Sequence, residues 1–288
     1  MNFSHTSKIA ELNKRINHWH AGVDYNAAGT HIFEEDWDNL VILDACRFDV
    51  FSAHHPFEGR LESRISRGST TKEFIRANFR EERRLDTAYL SDNGWYGRLF
   101  EQLDSHLYDF QLCSRDAFDG AVSHPTTVTD AARAYTQEHP NKRLIVHYLQ
   151  PHDPYFDRNG DERFALVSSD PRELAQAGYS AETIADAYIE SFEYVATEVQ
   201  KLLKELHGKT VITADHGELL GERMRPIPAR CFEHPEGVYV DELVKVPWFI
   251  ADFDERKTIQ PASEPTDWEY TDPHLDDVES QLEQLGYL

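Results

Sequence analysis

Short apolar segments of strand character alternate with amphipathic segments along most of this 288-residue chain. Residues 39–44 (NLVILD) and 143–149 (RLIVHYL) are rich in aliphatic and β-branched residues, which is typical of strands buried on both faces. Further strands are predicted at 86–90, 107–113, 210–213 and 246–251. This alternation predicts an α/β domain with a mostly parallel sheet and helices on both of its faces.

The predicted helices lie between these strands. The longest, residues 180–206, carries its apolar residues on one face, at Ile184, Tyr188, Phe192, Val195, Val199, Leu202 and Leu206. Shorter helices are predicted at 72–84, 126–138 and about 276–285. The irregular stretches 153–171 and 222–237 each follow a strong strand, where α/β folds place their functional sites.

The acidic composition limits the classes of partner. Asp and Glu number 52 against 29 Lys and Arg, so the formal charge is −23. Such a charge repels nucleic acids and anionic lipids, and we expect neither as a partner. Only 9 of the basic residues are Lys. Excess carboxylate with little Lys favours a protein that works in concentrated salt, where self-repulsion is screened.

The cysteines and the N-terminal residues bear on the compartment. Cys46, Cys113 and Cys231 are odd in number and lack C-x-x-C spacing, so neither a disulfide framework nor a structural zinc site is predicted. Charged residues interrupt the first twenty positions, and no apolar run reaches the length of a membrane span. These features predict a cytoplasmic protein.

Polar residues of one chemical type follow three of the predicted strands. Asp44 ends the first, His152 follows the central one, and Asp215 and His216 follow the strand at 210–213. Carboxylates and imidazoles at the carboxyl ends of parallel strands can converge on one divalent cation. Such an ion leaves positions for a nucleophile and for a phosphate or sulfate oxygen.

The ordered motifs resemble those of the alkaline phosphatase/sulfatase superfamily. LDACRFD is similar to the sulfatase pattern D-D-x-R-x-D, PHDPY to P-H-x-P-Y, and ITADHGELLGE to T-x-D-H-G-E-x-x-G-E. The stretch EHPEGVYVDELVKVPWFI and the closing LEQLGYL are also similar to that superfamily. The resemblance spans residues 39–250 and implies a three-layer α/β sandwich. It implies an N-terminal helical extension over 1–36 and one catalytic domain over 37–288.

The resemblance also implies a nucleophile within SRISRGSTTKEFIRANF. Sulfatases carry a cysteine there, in C-x-P-x-R, but Cys46 is followed by RFDV and Cys113 by SRDA. The phosphoryl-transfer branches use an unmodified Thr or Ser instead. The spacing to the following helix favours Thr70, with Thr71 second and Ser69 third, although the same residues could simply cap the helix.

Ala45 stands where the sulfatase pattern has its second Asp. The resemblance therefore implies a smaller metal site built from Asp44, Thr70, Asp215 and His216. The expected ion is a single Mn, Mg, Ca or Zn ion, and a second ion is left open.

Substrate contacts follow from the same motifs. Arg47 matches the arginine of the first motif and is a candidate substrate-binding residue, with a supporting role as the alternative. His234 matches a later Lys or His position, and with His152 it would bind non-bridging oxygens or protonate the leaving oxygen. His147, inside a strand, is expected to pack or to support the site.

Together these features predict a metal-dependent, sulfatase-like hydrolase or transferase acting on phosphate esters, with a diester or phospho-headgroup favoured. A lipid, glycan or other small-molecule ester is the expected substrate. Two alternatives keep the fold: a sulfate-ester hydrolase and a phosphomutase. A third is a catalytically silent relative that binds a metal or an anion.

Overall fold

The computed structural model describes residues 3–164, 166–167 and 170–268, with the side chains of 3–5 left out. Its strands are β1 (Asn39–Leu43), β2 (Gly59–Ile65), β3 (Arg83–Ser91), β4 (His106–Leu112), β5 (Arg143–Tyr148), β6 (Thr210–Thr213) and β7 (Lys245–Ala251). Its helices are α1 (Phe3–Ala21), α2 (Phe48–His54), α3 (Thr71–Phe79), α4 (Trp95–Leu103), α5 (Pro125–Glu138), α6 (Pro171–Gln176), α7 (Ala181–Leu203) and α8 (Asp241–Val244).

The strands form one sheet in the order β2-β7-β6-β1-β5-β3-β4. β6, β1, β5, β3 and β4 run parallel to one another, and only β7 runs antiparallel to its two neighbours. β1 therefore lies at the centre, between β5 and β6. This order places the carboxyl ends of the three strands with functional motifs side by side.

Both faces of the sheet are covered by helices. Within β1, Val41 and Leu43 pack on the face that α2, α5 and α7 cover, whereas Leu40 and Ile42 pack on the face that α3 and α4 cover. All four side chains are fully buried, as expected for a central strand flanked by two helix layers. The predicted α/β class, with a mostly parallel sheet between two helix layers, is confirmed.

The structure also shows where pattern alone fell short. The strand at 210–213 is found with the predicted ends. The other predicted strands and the helices at 72–84, 126–138 and 180–206 are found with shifted ends, and α7 stops at Leu203. β2, α2, α4, α6 and α8 were not predicted. β2 (GRLESRI) is an exposed edge strand, so it lacks the apolar run that marks the buried strands. The predicted helix at 276–285 lies outside the described residues.

α1 packs against the segment that precedes α8. The Asn13 side chain exchanges two hydrogen bonds with the Ile227 backbone, at 2.8 and 3.0 Å, and the Asn17 amide donates to the Gly237 carbonyl at 2.7 Å. Lys14 pairs with Glu236 at 2.9 Å. The division of the chain at residue 36 stays a prediction. In the part of the chain that the structure describes, no helix has the length and apolar character needed to cross a membrane.

Candidate functional site

A carboxylate and imidazole cluster lies at the carboxyl ends of β1 and β6. Asp44 directly follows β1, and Asp215 and His216 follow β6, as the sequence predicts. His216 Nε2 lies 3.4 Å from Asp44 Oδ1 and 3.4 Å from Asp215 Oδ2. One ligand atom from each of the three residues lies within 4.8 Å of the others, so they could hold a metal ion together.

Two carboxylate oxygens of this cluster lack hydrogen bonds within the described residues. Both Asp44 Oδ1 and Asp215 Oδ2 are buried in this state. A buried ionised oxygen without a partner is costly, and proteins ordinarily compensate for it with a hydrogen bond, a cation or a metal. The cluster therefore fits a divalent cation, with these oxygens as ligand atoms.

Two backbone hydrogen bonds fix the orientation of the Asp215 carboxylate. Its Oδ1 accepts hydrogen bonds from the backbone N–H groups of Ala45, at 3.0 Å, and of His216, at 2.9 Å. Ala45 adopts a left-handed conformation with φ of 57°, a strained state for a non-glycine residue. Ala45 thus contributes a backbone donor at the position where the sulfatase pattern has its second Asp.

Gly217 has a steric reason to be glycine. A Cβ at this position would collide with the carbonyl oxygen of Glu242. The Gly217 N–H donates to the Leu243 carbonyl at 2.7 Å, so the chain after the cluster is held tightly against α8. The glycine of the DHG motif thus serves close packing.

The structure brings Thr71, rather than Thr70, to the cluster. Thr71 Oγ1 lies 3.2 Å from Asp44 Oδ2 and 3.3 Å from His216 Nε2. Thr70 is the N-cap of α3, and its hydroxyl accepts the Glu73 N–H at 3.1 Å. Ser69 Oγ is bonded to the Glu73 carboxylate and to the Pro235 carbonyl, both at 3.0 Å. Thr70, the first choice for the nucleophile from the sequence, therefore serves as the N-cap of α3 in the structure.

His147 and Asn93 complete the surroundings of Asp44. His147 Nε2 lies 3.5 Å from Asp44 Oδ2 and 3.9 Å from Asp215 Oδ2. The Asn93 amide donates to Asp44 Oδ2 at 2.8 Å. Burial opposes ionisation of Asp44, but the neighbouring His147, His152 and His216 outweigh it and hold the pKa of that carboxyl below its usual range.

A second cluster lies beside the first. His152, Glu218 and His234 also bring ligand atoms within 4.8 Å of one another. His234 Nδ1 lies 2.8 Å from Glu218 Oε2, and the His234 ring contacts the rings of both His152 and His216, with centroids 4.8 and 4.5 Å apart. The sequence-predicted histidines thus meet, together with a glutamate that the sequence analysis left unassigned.

The two histidines of this second cluster have opposite electrostatic environments. Burial would lower the pKa of His152, but Asp153, Asp44 and Glu218 outweigh it and raise that pKa to about 10. Burial and the nearby His152 lower the pKa of His234 to about 4. At neutral pH the pair therefore holds one cationic and one neutral imidazole.

Arg47 points away from the clusters. Its guanidinium pairs with Asp49 at 2.8 Å and with Glu222 at 2.6 Å, and it donates to the Glu218 carbonyl at 3.2 Å. It is not among the residues that line the cavity described next. The bond to Glu218 fits the supporting role that was the alternative for Arg47, and its contact with substrate stays a prediction.

A cavity of about 920 Å³ is lined by Thr71, beside the first cluster, and by His152 and His234 of the second. Its wall includes the end of β3, the first turns of α3 and α4, and α1. The irregular stretches 153–171 and 222–237 contribute several lining residues, as predicted from their place after strong strands. This volume is large enough for an ester with a sizeable organic portion.

The comparisons with known proteins describe the fold. No family model matches the sequence, and no curated protein matches it either. Solved structures with a similar arrangement include the C-terminal periplasmic domain of EptC from Escherichia coli in complex with Zn, at 14% identity and a TM-score of 0.42. The alignment covers 74% of this chain and 72% of that domain.

Two further solved structures have a similar arrangement. A 2-O GAG sulfatase is 14% identical over 86% of this chain and 70% of its own, with a TM-score of 0.48. An alkaline phosphatase superfamily protein from Vibrio parahaemolyticus is 11% identical over 79% of this chain and 61% of its own, with a TM-score of 0.47. The superfamily is the one that the sequence motifs resemble. At such distances the reaction has to be inferred from the site itself.

Proposed function

We propose that this chain is a metal-dependent hydrolase or transferase of phosphate esters, with Thr71 as its nucleophile. The observation that carries the proposal is the position of the Thr71 hydroxyl, 3.2 Å from Asp44 and 3.3 Å from His216. It lies at the edge of a cluster that fits a divalent cation, and Thr71 is also one of the residues that line the large cavity.

The metal would be held by Asp44, Asp215 and His216, with Thr71 beside them. When bound, such an ion neutralises charge on a phosphoryl group and lowers the pKa of a neighbouring hydroxyl. His216 suits this role, because its Nδ1 lies 2.8 Å from the Gly217 carbonyl, which can only accept a hydrogen bond. Nδ1 must therefore carry the proton, which leaves Nε2 with its lone pair toward Thr71 and both carboxylates.

Thr71 is also placed for attack on an anion. It is the first residue of α3, and the free N–H groups of a helix N-terminus attract a phosphate. The hydroxyl of Thr70 is already used as the helix cap, so α3 is anchored while the next residue presents its own hydroxyl.

The second cluster would act on the leaving group. His152 Nδ1 donates to the Asp153 carbonyl at 2.6 Å, which fixes this ring in position. Its cationic form can give a proton to the leaving oxygen. Neutral His234 donates Nδ1–H to Glu218, so its Nε2 lone pair is left to accept a proton or to hold a second metal ion. Diesters and phospho-headgroups are favoured over monoesters, because a protonated leaving group and a roomy cavity suit a substituted phosphate. The cytoplasmic location and the salt-rich working medium stay predictions.

Two neighbouring threonines provide a matched test. We expect Thr71→Ala to lower the turnover of bis(4-nitrophenyl) phosphate by roughly a thousandfold or more, and Thr71→Ser to keep part of it. Thr70→Ala should keep turnover within about tenfold but lower the free energy of unfolding by about 1 kcal/mol, as the loss of an N-cap does. Turnover is measured with added Mn²⁺ and with chelator, and 4-nitrophenyl phosphate and sulfate serve as comparison substrates.

Three outcomes would contradict the proposal. If Thr70→Ala abolished turnover and Thr71→Ala did not, Thr70 would be the nucleophile. If the wild type preferred the sulfate ester, the reaction class would be wrong. If the wild type bound Mn²⁺ but turned over no ester, a silent metal-binding relative would be the better description.

A further inference from the structure

Two lysines, Lys14 of α1 and Lys72 of α3, lie on the cavity wall near Thr71, in a chain whose net charge is −23. Arg76 of α3 lies nearby, and the Glu236 carboxylate lies between these cationic residues. Glu236 pairs with Lys14 at 2.9 Å and with Arg76 at 3.5 Å. The Lys72 ammonium makes no ion pair and no side-chain hydrogen bond within the described residues.

Lys72 is held over an aromatic ring. Its Nζ lies 5.3 Å from the centre of the Trp95 ring, and the Arg98 guanidinium lies 5.4 Å from the same ring. Lys14, Lys72, Trp95 and Arg98 all line the cavity. Attraction between a cation and an aromatic face positions the ammonium but leaves its three N–H groups able to bind an anion.

The electrostatics around Lys72 agree with a missing anionic partner. Burial and the neighbouring Arg76 and Lys14 lower the pKa of Lys72, although Glu236 opposes them. An anion placed between Lys14 and Lys72 would relieve this repulsion. Such a charge-assisted bond is about twice as strong as a bond between neutral groups.

We propose that Lys72 and Lys14, beside Trp95, form a subsite for a second anionic group on the organic portion of the substrate. Phosphate and carboxylate share the required chemistry, which is a compact anion with several acceptor oxygens. The inference rests on the proposed function, because the reacting phosphate is assigned to the Thr71 cluster. Lys72 directly follows Thr71, but its side chain points to Trp95. The subsite is therefore adjacent to the reacting centre and is formed by different side chains. The substrate is then a phosphate ester that carries at least one further negative group.

Non-hydrolysable ligands test the subsite without turnover. Calorimetry with Mn²⁺ present compares butylphosphonate with butane-1,4-bisphosphonate and 5-phosphonopentanoate, together with shorter and longer chains of each type. We expect the wild type to bind the best bisphosphonate or phosphonocarboxylate about tenfold or more tightly than the monophosphonate of equal length. A larger gain for one of the two types identifies phosphate or carboxylate as the preferred group.

Variants then assign the gain to Lys72. In Lys72→Met the ratio of the two affinities should fall to about two or less, and Lys72→Arg should restore most of it. Lys204→Met is the matched control: Lys204 is an exposed lysine at the end of α7, and its loss removes the same charge without changing the ratio. Thermal unfolding confirms that each variant is folded.

Three results would overturn the inference. Equal affinity of the wild type for every one-anion and two-anion ligand would exclude a second anionic subsite while leaving the proposed function intact. An undiminished ratio in Lys72→Met would exclude this lysine as its centre. If no phosphonate bound at all, the phosphate site itself would be absent, and the proposed function would fall with the subsite.

Discussion

Two buried aspartates at opposite ends of the central strand β1 have contrasting surroundings. Asp38, just before β1, accepts four hydrogen bonds: two from the Arg256 guanidinium, at 2.7 and 2.9 Å, and one each from the backbone N–H groups of Lys209 and Lys257, at 2.8 and 3.2 Å. Asp44, just after the same strand, has one carboxylate oxygen buried without a hydrogen bond. Asp215 shows the same deficit.

The contrast distinguishes a structural carboxylate from a binding one. At the amino edge, Arg256 and two backbone groups compensate the charge of Asp38 within the fold, which stabilises the native state. At the carboxyl end of the strands, Asp44 Oδ1 and Asp215 Oδ2 accept no hydrogen bond from the described residues, so they are open to a bound cation. Natural proteins tolerate such a deficit mainly at functional sites.

The largest effect is expected from Asp215→Asn. The amide can keep the two backbone bonds now made to Oδ1, but it replaces Oδ2, the oxygen free to bind a metal. We expect Mn²⁺ affinity to fall by at least about 100-fold and turnover to be lost with it. Without metal, the variant should unfold about 2–4 °C above the wild type, because one of two closely spaced negative charges is gone.

Calorimetric Mn²⁺ titrations and thermal unfolding with and without chelator check this prediction. The wild type should gain stability on adding Mn²⁺ and the variant should gain none. A variant that was less stable without metal, yet still stabilised by Mn²⁺, would show that Asp215 is a structural carboxylate like Asp38.

A smaller effect, on stability alone, is expected from Asp38→Asn. Three of its four hydrogen bonds end on Oδ2 and one on Oδ1, so an amide in either orientation places an NH₂ against a donor. We expect the free energy of unfolding to fall by about 2 kcal/mol, with turnover per folded molecule unchanged. Urea unfolding measures the loss.

Asp36→Asn is the matched control for this edge. Asp36 pairs with the same Arg256, at 2.8 Å, but its side chain is 64% exposed. Removal of an exposed ion pair should cost about 0.5 kcal/mol. Equal losses in the two variants would mean that burial does not distinguish these carboxylates.

The smallest effect is the pH dependence of the Asp38→Asn difference. Burial opposes ionisation of Asp38, but bonds from Arg256 and from the Lys209 and Lys257 backbone outweigh it, so its pKa lies below the ordinary value of 3.8. Its contribution to stability is then complete above pH 3.8 and is lost as the pH falls through the lowered pKa. The wild-type minus variant difference should stay constant from pH 7 to about pH 5 and shrink below pH 3.8. A difference that grew on acidification would contradict this sign.

Much of the fold could be predicted from the sequence because buried parallel strands carry an uninterrupted apolar signal. The edge strand β2 was missed because only one neighbour pairs with it and most of its side chains are partly or fully exposed. α2 was missed because seven residues are too few for clear periodicity, whereas α4 was missed although its nine residues are as many as those of the predicted α3. Among site residues, Glu218 lies within the motif ITADHGELLGE, so the sequence did contain a signal that it belongs to the site. Asn93 follows β3 and had none beyond its place after a strand.

The residues at the strand ends, Asp44, Asp215 and His216, could be predicted from the sequence alone, since parallel strands bring their carboxyl ends to one end of the sheet whatever the helices do. The tertiary structure was needed to show that the Thr71 hydroxyl, and not that of Thr70, lies beside Asp44 and His216. An N-cap residue has an extended backbone and turns its hydroxyl back onto the helix, whereas the next residue has helical geometry and points elsewhere. Packing alone likewise decided that Arg47 faces Glu222 and that Lys72 faces Trp95, because both depend on segments distant in the chain or on neighbouring helices. The residue type at a strand end can be read from neighbouring positions in the sequence. The partner of a long side chain depends on how separate segments pack together.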